Sequence, residues 1–545
     1  MNKLKKNEDL KYYLIILSVS IIIGLPLFVN NLNIFLDDGM QHFSRLIGIT
    51  TSIAEGQTFP NIMSNLCNGF GYSWNIFYSP ITVYGPLVLK LIIPTYKFTL
   101  QMFMWITLFL SGLFMYKFVL KVTKSKVTAV FASVLYMIAP YRMTDIYIRF
   151  SIAEHVAFMF LPMVFLGLYN NNKYHYLIIG AVGLILTHTI TTFLAIIFAL
   201  IYIIANRKVS VKLVVSAIFI ILITSFFWAP MLEHMLATEY GVFVPGRMAT
   251  TESLYETGLE FKQWFFTDEK LHVFEIGFPI IIGLMLTPFC IKKIPNEYKN
   301  IYVIFLILGL ISLVGTTKLF PWKYMPSIFS MIQFTFRMLE FMIFFLSLVC
   351  GINIGIFVKE IKTYQVLGII IVTSCCLLLF SRHIQYLDNR AQEDLQYNYE
   401  QRIAGDTKVT NGSGWLEYLP NKAYQNRGYI ASRTMNVYVI SGNATIENVV
   451  KNGVNMQFEV KNIEETVLEL PYVYYLGYKI EYNGEKVDYY ESENGFICIT
   501  ISDEGHVNTS YTGTTIMKIS AIISLISAIG LVGYIIIGKR GSFVI

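Results

Sequence analysis

Charge is what this 545-residue chain has least of: only 14% of its residues are Asp, Glu, Lys or Arg. Soluble globular proteins carry about 25%. With 55% hydrophobic residues, the shortage excludes a water-soluble enzyme and a disordered protein. Cysteine is scarce too. The six are Cys67, Cys290, Cys350, Cys375, Cys376 and Cys498. They show neither metal-site spacing nor the framework of a small disulfide-stapled domain. The net charge of +6 comes from lysines beside apolar segments, which is no footprint of a nucleic-acid partner. What remains is a helical membrane protein with many spans.

Apolar runs of helical length lie at 12–29, 98–120, 127–140, 153–170, 175–188, 190–206, 211–229, 276–291, 300–316, 338–357, 364–380 and 516–537. Lys3, Lys5, Lys6 and Lys11 precede the first run, which reads as an uncleaved anchor. Lys117, Lys121, Lys124 and Lys126, then Lys173, Lys208 and Lys212, Lys292, Lys293 and Lys299, and Lys359 and Lys362 fall in alternate loops. The positive-inside rule then places both termini in the cytoplasm. Segment 76–94 is apolar but broken by Pro80, Gly85, Pro86 and Pro94. Counting it as a span would invert every later loop, so it reads as re-entrant or interfacial. The predicted architecture is an α-helical polytopic protein with about 12 spans. Residues 1–381 form the transmembrane domain, with outer loops 31–97 and 230–275. Residues 382–514 form an extracytoplasmic β-rich domain, and 515–545 a final helix and cytoplasmic tail. Alternation in Thr434–Ile440, Val454–Val460 and Phe496–Ile501, and a hairpin signal at Asn483-Gly484, predict a β-sandwich in 382–514.

The informative charges stand at the outer ends of the spans. Asp38, His42 and Arg45, spaced i, i+4 and i+7, share a face if the stretch is helical. Adjacent carboxylates, Asp37 and Asp38, suit a general base, a metal ligand or both. A helix cap with a solvated face is the plain alternative. Arg142, Asp145, Arg149, Glu154 and His155 form a second cluster, in which Arg149 and Glu154 are able simply to pair. Arg337 and Glu340 begin a span and are placed to pair with each other. His188 reads as a turn residue or a catalyst. The inner loops use lysine almost throughout, while the outer segments carry Arg45, Arg142, Arg149, Arg247 and Arg337. Charge topology needs no such choice. A planar donor fork for phosphate or carboxylate does.

Several patches carry a resemblance. They are Asp37–Arg45, Gly56-Gln57-Thr58-Phe59-Pro60, Gly69-Phe70-Gly71-Tyr72, Phe77-Tyr78-Ser79-Pro80, Arg149–Glu154 and Gln333-Phe334-Thr335-Phe336-Arg337. Together they resemble bacterial membrane proteins labelled "6-pyruvoyl-tetrahydropterin synthase-related", although nothing here resembles a soluble pterin synthase. That family is similar to the GT-C superfamily of polytopic glycosyltransferases. Thr335 and Phe336 stand where Pro and Trp are expected. Pro471–Tyr478 with Asn483-Gly484-Glu485 resembles the C-terminal sandwich of YfhO-type membrane glycosyltransferases. The resemblance implies a sugar taken from a polyprenyl-phosphate donor on the outer face of a bacterial plasma membrane. The implied acceptor is an envelope glycan or a teichoic-acid-like polymer. It puts Asp38, or Asp37, in the catalytic role. His42, Arg45, Arg149, Glu154 and Arg337 would bind substrate. A divalent metal on Asp37 and Asp38 stays open. Two other functions remain: a transporter or flippase of a lipid-linked saccharide, and a non-catalytic envelope-assembly protein. In the latter, Tyr472, Tyr474, Tyr475 and Tyr478 would stack on sugars.

Overall fold

The computed structural model describes residues 2–28, 38–170, 174–243, 249–265, 274–360, 416–461 and 464–540. The described chain is mostly helical, with a β-sheet region towards the C-terminus. Six of its helices are long and apolar enough to cross a membrane, or up to eight if two bent pairs each count as one span. This is a multi-pass membrane protein. Of the expected spans, 364–380 lies outside the described residues. Run 276–291 is no continuous span: it breaks into Phe278–Met285, Thr287–Cys290 and a 3-10 turn. Pro288 lacks the N–H that would continue the helix, and eight residues rise only about 12 Å. The Ile81–Lys90 helix in segment 76–94 has ten residues with Pro86 inside. Its rise of about 15 Å is half the bilayer core.

Two compact units divide the chain. The first comprises 1–39, 89–220 and 249–397. Its main helices are α1 (Asn2–Gly24), α2 (Tyr96–Thr123), α3 (Lys126–Ile138), α4 (Ile152–Tyr169), α5 (Tyr174–Ile185), α6 (Thr189–Ala205), α7 (Asn296–Gly315) and α8 (Met338–Glu360). Spans Ile152–Tyr169 and Thr335–Val358 are each 89% buried by protein, whereas the first span is 28% buried. Charges on these two central spans are therefore shielded from lipid. Small residues let the helices close up. A Cβ on Gly167 of α4 would lie 2.3 Å from the backbone N of Leu177 in α5, and one on Gly351 of α8 would lie 2.6 Å from Ala132 of α3.

The second unit comprises 40–88, 221–248 and 398–545. Among the described residues it contains the Gly39–Ala54 and Thr515–Arg540 helices and nine strands. These are β1 (Tyr438–Ser441), β2 (Thr445–Asn452), β3 (Asn455–Lys461), β4 (Thr466–Val473), β5 (Tyr478–Tyr482), β6 (Glu485–Val487), β7 (Tyr490–Glu491), β8 (Phe496–Ile501) and β9 (Gly505–Tyr511). They form two antiparallel sheets, ordered β1-β4-β8-β7 and β2-β3-β9-β5-β6. Asn483 (φ 51°) and Gly484 (φ 88°) turn β5 into β6 with both φ positive, as the two-residue hairpin demands. The strand expected over Thr434–Ile440 begins only at Tyr438. Its first carbonyls are taken: Arg433 Nη1 donates to the oxygens of Thr434 and Asn436 at 2.8 and 3.1 Å. Arg433 also pairs with Glu469 at 3.1 Å, both side chains being wholly buried. Tyr472, Tyr475 and Tyr478 are core residues at 1%, 0% and 5% exposure, with the rings of Tyr472 and Tyr478 5.2 Å apart. They offer no platform for a sugar.

Candidate functional site

The site grows from a knuckle between α3 and α4. Pro140 stops α3, and the chain bends by 50° into a helical turn, Pro140–Met143. A π-helical turn follows over Thr144–Ile148. Phe150 then takes a positive φ of 48° and reverses the chain before α4 starts at Ile152. Backbone bonds from Arg149 to Thr144 O and from Ser151 to Asp145 O lock this shape. Single π turns recur at functional sites because they re-aim side chains. Here Asp145 and Arg149 face Glu154, which sits in the first turn of α4 where the helix dipole favours a carboxylate.

Arg149 is the hub. Its Nη1 donates to Asp145 Oδ1 at 2.8 Å, Glu154 Oε2 at 2.9 Å and Tyr141 Oη at 3.2 Å. Its Nη2 lies 3.6 Å from Asp38 Oδ2, and its carbonyl accepts the Asp38 N–H at 3.0 Å. The guanidinium stands 5.4 Å from the Phe336 ring, so an aromatic face is kept where tryptophan was expected. Burial works against the charge of Arg149. The carboxylates of Glu154, Asp145 and Asp38 outweigh burial and hold its pKa above the ordinary guanidinium value. Tyr141 donates its hydroxyl to Glu154 Oε1.

Arg337 ends a 3-10 turn ahead of α8. Its Nη1 donates to Ile332 O and to Gln333 Oε1, each at 2.8 Å, and its Nε lies 3.7 Å from Glu154 Oε2. The expected pair with Glu340 does not form among the described residues. Residues three apart face each other only along one helix, and Arg337 precedes α8 in a tighter turn. Glu340 Oε2 instead accepts from Thr191 Oγ1 at 2.5 Å. His188 caps α6, accepting from Thr191 N at 3.4 Å, which is the turn role read from the sequence. Of the four acids, Asp38 alone is accessible, its side chain 38% exposed against 0% for Asp145 and Glu154 and 1% for Glu340.

The other predicted residues lie elsewhere. Asp37 lies outside the described residues. The Gly39–Ala54 helix opens after Asp38, so Asp38 is not on its face. Asp38 belongs with the first unit, His42 and Arg45 with the second. His42 is 3% exposed, with its ring 6.1 Å from that of Tyr78. Arg45 is 1% exposed; its Nη1 donates to Thr82 Oγ1 at 2.7 Å and its Nη2 to Asn75 Oδ1 at 3.4 Å and Ser79 O at 3.4 Å. Burial lowers its pKa to about 10, so it stays charged at neutral pH. Asn75 in turn bonds Pro60 O at 2.6 Å. Arg45 thus ties together the motif segments around Pro60 and Phe77–Pro80. Among the described residues no group of three or more His, Cys, Asp or Glu is arranged to hold a metal ion. Tyr141 and Thr191 were not singled out from the sequence. Nothing local marks a tyrosine or threonine whose partner is a distant carboxylate.

No family model matches the chain. An uncharacterized protein of Lactococcus lactis subsp. cremoris (strain MG1363) is 27% identical over 348 residues, 58% of this chain and 55% of that protein. The chain therefore matches about half the length of this curated relative. Among solved structures, the archaeal oligosaccharyltransferase of Archaeoglobus fulgidus, in complex with an inhibitory peptide and a dolichol-phosphate, matches 71% of this chain and 56% of its own. The TM-score is 0.42 at 12% identity.

Proposed function

We propose that this chain is a membrane glycosyltransferase that moves a sugar from a polyprenyl-phosphate donor to a cell-envelope acceptor on the extracytoplasmic face. The observation that carries the reading is one accessible carboxylate, Asp38, beside an otherwise buried array of arginines and acids. In the proposed step the acceptor oxygen attacks the anomeric carbon with inversion. The bond from that carbon to the phosphate oxygen breaks, and polyprenyl phosphate leaves. Asp38 takes the acceptor's proton. Arg149 holds Asp38 in place. Arg337, whose Nη2 has no hydrogen bond among the described residues, donates to the departing phosphate.

The test is transfer by purified protein in lipid nanodiscs, offered a panel of synthetic polyprenyl-phosphate sugars and envelope glycans. Arg337→Lys keeps the charge but loses the fork, and is expected to weaken donor use by about 1–3 kcal/mol. Unchanged kinetics at matched expression would remove Arg337 from the phosphate. The charges of Arg142, Asp145 and Glu340, fully buried in helical segments, favour a second reading: a flippase of a lipid-linked saccharide. Translocation of a fluorescent lipid-linked saccharide in proteoliposomes, with no sugar transfer from any donor, would select it.

The proposed topology has both termini in the cytoplasm and 382–514 outside. Val450, 55% exposed on β2, reports on it. Val450→Cys in a variant lacking the native cysteines should react with an impermeant maleimide added to whole cells. Reaction only after the membrane is opened would invert the topology.

A further inference from the structure

The first unit also buries polar atoms that no protein group satisfies among the described residues. Arg142 is 0% exposed, and none of its three guanidinium nitrogens has a hydrogen-bond partner among the described residues. Its flat faces meet aromatic rings: Phe158 with its centroid at 4.4 Å and Tyr136 at 5.5 Å. Those contacts leave the five N–H groups at the rim unserved. An uncompensated buried guanidinium costs several kcal/mol, which a stable fold does not carry without a ligand.

Acceptors are orphaned in the same interior. Asp145 stands three residues on from Arg142 across the knuckle. Its Oδ1 grips Arg149, while its Oδ2 has no partner among the described residues. Glu340 Oε2 accepts from Thr191, while its Oε1 has no partner among the described residues. The Pro140–Met143 turn that carries Arg142 packs against α8, which carries Glu340. Ser347, two turns beyond Glu340 on the same face of α8, is also buried, and its hydroxyl has no partner among the described residues. Donors and acceptors of matching kind, buried in packed segments yet not bonded to one another, are what bound water bridges. An anion fits poorly, since two carboxylates share the interior. A metal ion fits poorly beside the guanidinium.

We propose that Arg142, Asp145 and Glu340 enclose an internal hydration site, a small group of bound water molecules held between the Pro140–Ile148 segment and α8. The water carries hydrogen bonds from Arg142 to the free oxygens of Asp145 and Glu340. It thereby stiffens the carboxylate that holds Arg149. The site stands on burial and hydrogen-bond accounting, so it survives or fails independently of sugar transfer.

X-ray radiolysis of the full chain in nanodiscs tests it, because hydroxyl radicals form from bound water in place. Tyr136, Phe158 and Phe305 are all 0% exposed, and Phe305 packs only among aromatic rings in the contacts seen for it. Mass spectrometry should find Phe158 and Tyr136 oxidised on the order of tenfold faster than Phe305 if water lies beside them. Arg142→Met should bring Phe158 down to the rate of Phe305. Background oxidation at both Phe158 and Tyr136 in the wild type overturns the site. So does oxidation of Phe305 at an equal rate, which would mean that radicals enter the whole core. The wild-type comparison decides the matter even if the variant fails to fold.

Discussion

Asp38→Asn is expected to lower sugar transfer by about 10²–10⁴-fold, the usual worth of a positioned general base. The substitution is nearly isosteric. It leaves the Asp38 N–H on the Arg149 carbonyl, so the chain should keep its path into the site. What is lost is the charge and the ability to take a proton. Stability should barely move. The Asp38 carboxylate is partly exposed and 3.6 Å from Arg149, the longest contact of that guanidinium with a carboxylate. Partly exposed pairs of this kind contribute about 0–1 kcal/mol. Transfer assays alongside thermal melting separate the two effects. Wild-type rates in Asp38→Asn would take the residue out of the chemistry. A melting point that collapses with the activity would make Asp38 a structural acid.

Arg149→Met should act in the opposite way, through the fold first. Its guanidinium neutralises Asp145 and Glu154 at 2.8 and 2.9 Å, and both carboxylates are 0% exposed. Removing it leaves the two buried carboxyl groups without their shared cation, with Arg337 at 3.7 Å as the remaining cation close to Glu154. Breaking a buried ion network in this manner costs about 3–5 kcal/mol. Methionine keeps the unbranched apolar stem but not the guanidinium, so the loss combines charge, hydrogen bonds and the contact with Phe336. Adding Glu154→Gln to Arg149→Met should recover part of the stability, because it removes one of the orphaned charges. Thermal melting of the single and double variants, in the same lipid, measures both steps. A single variant that melts within a degree of wild type would show that these acids do not depend on Arg149. The hub role would then fall, and the guanidinium would be released for phosphate alone.

Much of this molecule is readable from residue order because the physics is local. A lipid bilayer demands about twenty apolar residues per helix, and runs such as 98–120, 153–170 and 300–316 became helices at those places. Asn483-Gly484 turned the chain because those two residues tolerate positive φ. The pairing of Arg149 with Glu154 was open to reading because a short apolar context leaves two charges few other partners. The remainder was decided by tertiary contacts. Arg45 reads as a substrate-binding arginine of the outer segment; it is buried and served by Thr82, Asn75 and Ser79 from a segment far along the chain. Thr434–Asn436 had a strand's alternation, but the Arg433 guanidinium took the carbonyls that a neighbouring strand would have used. Arg337 was aligned by count with Glu340, yet its turn points it to Glu154 on another helix. Periodicity determines which residues can form an element. A buried charge must be neutralised wherever the folded chain offers a partner, and only the packed structure decides which one that is.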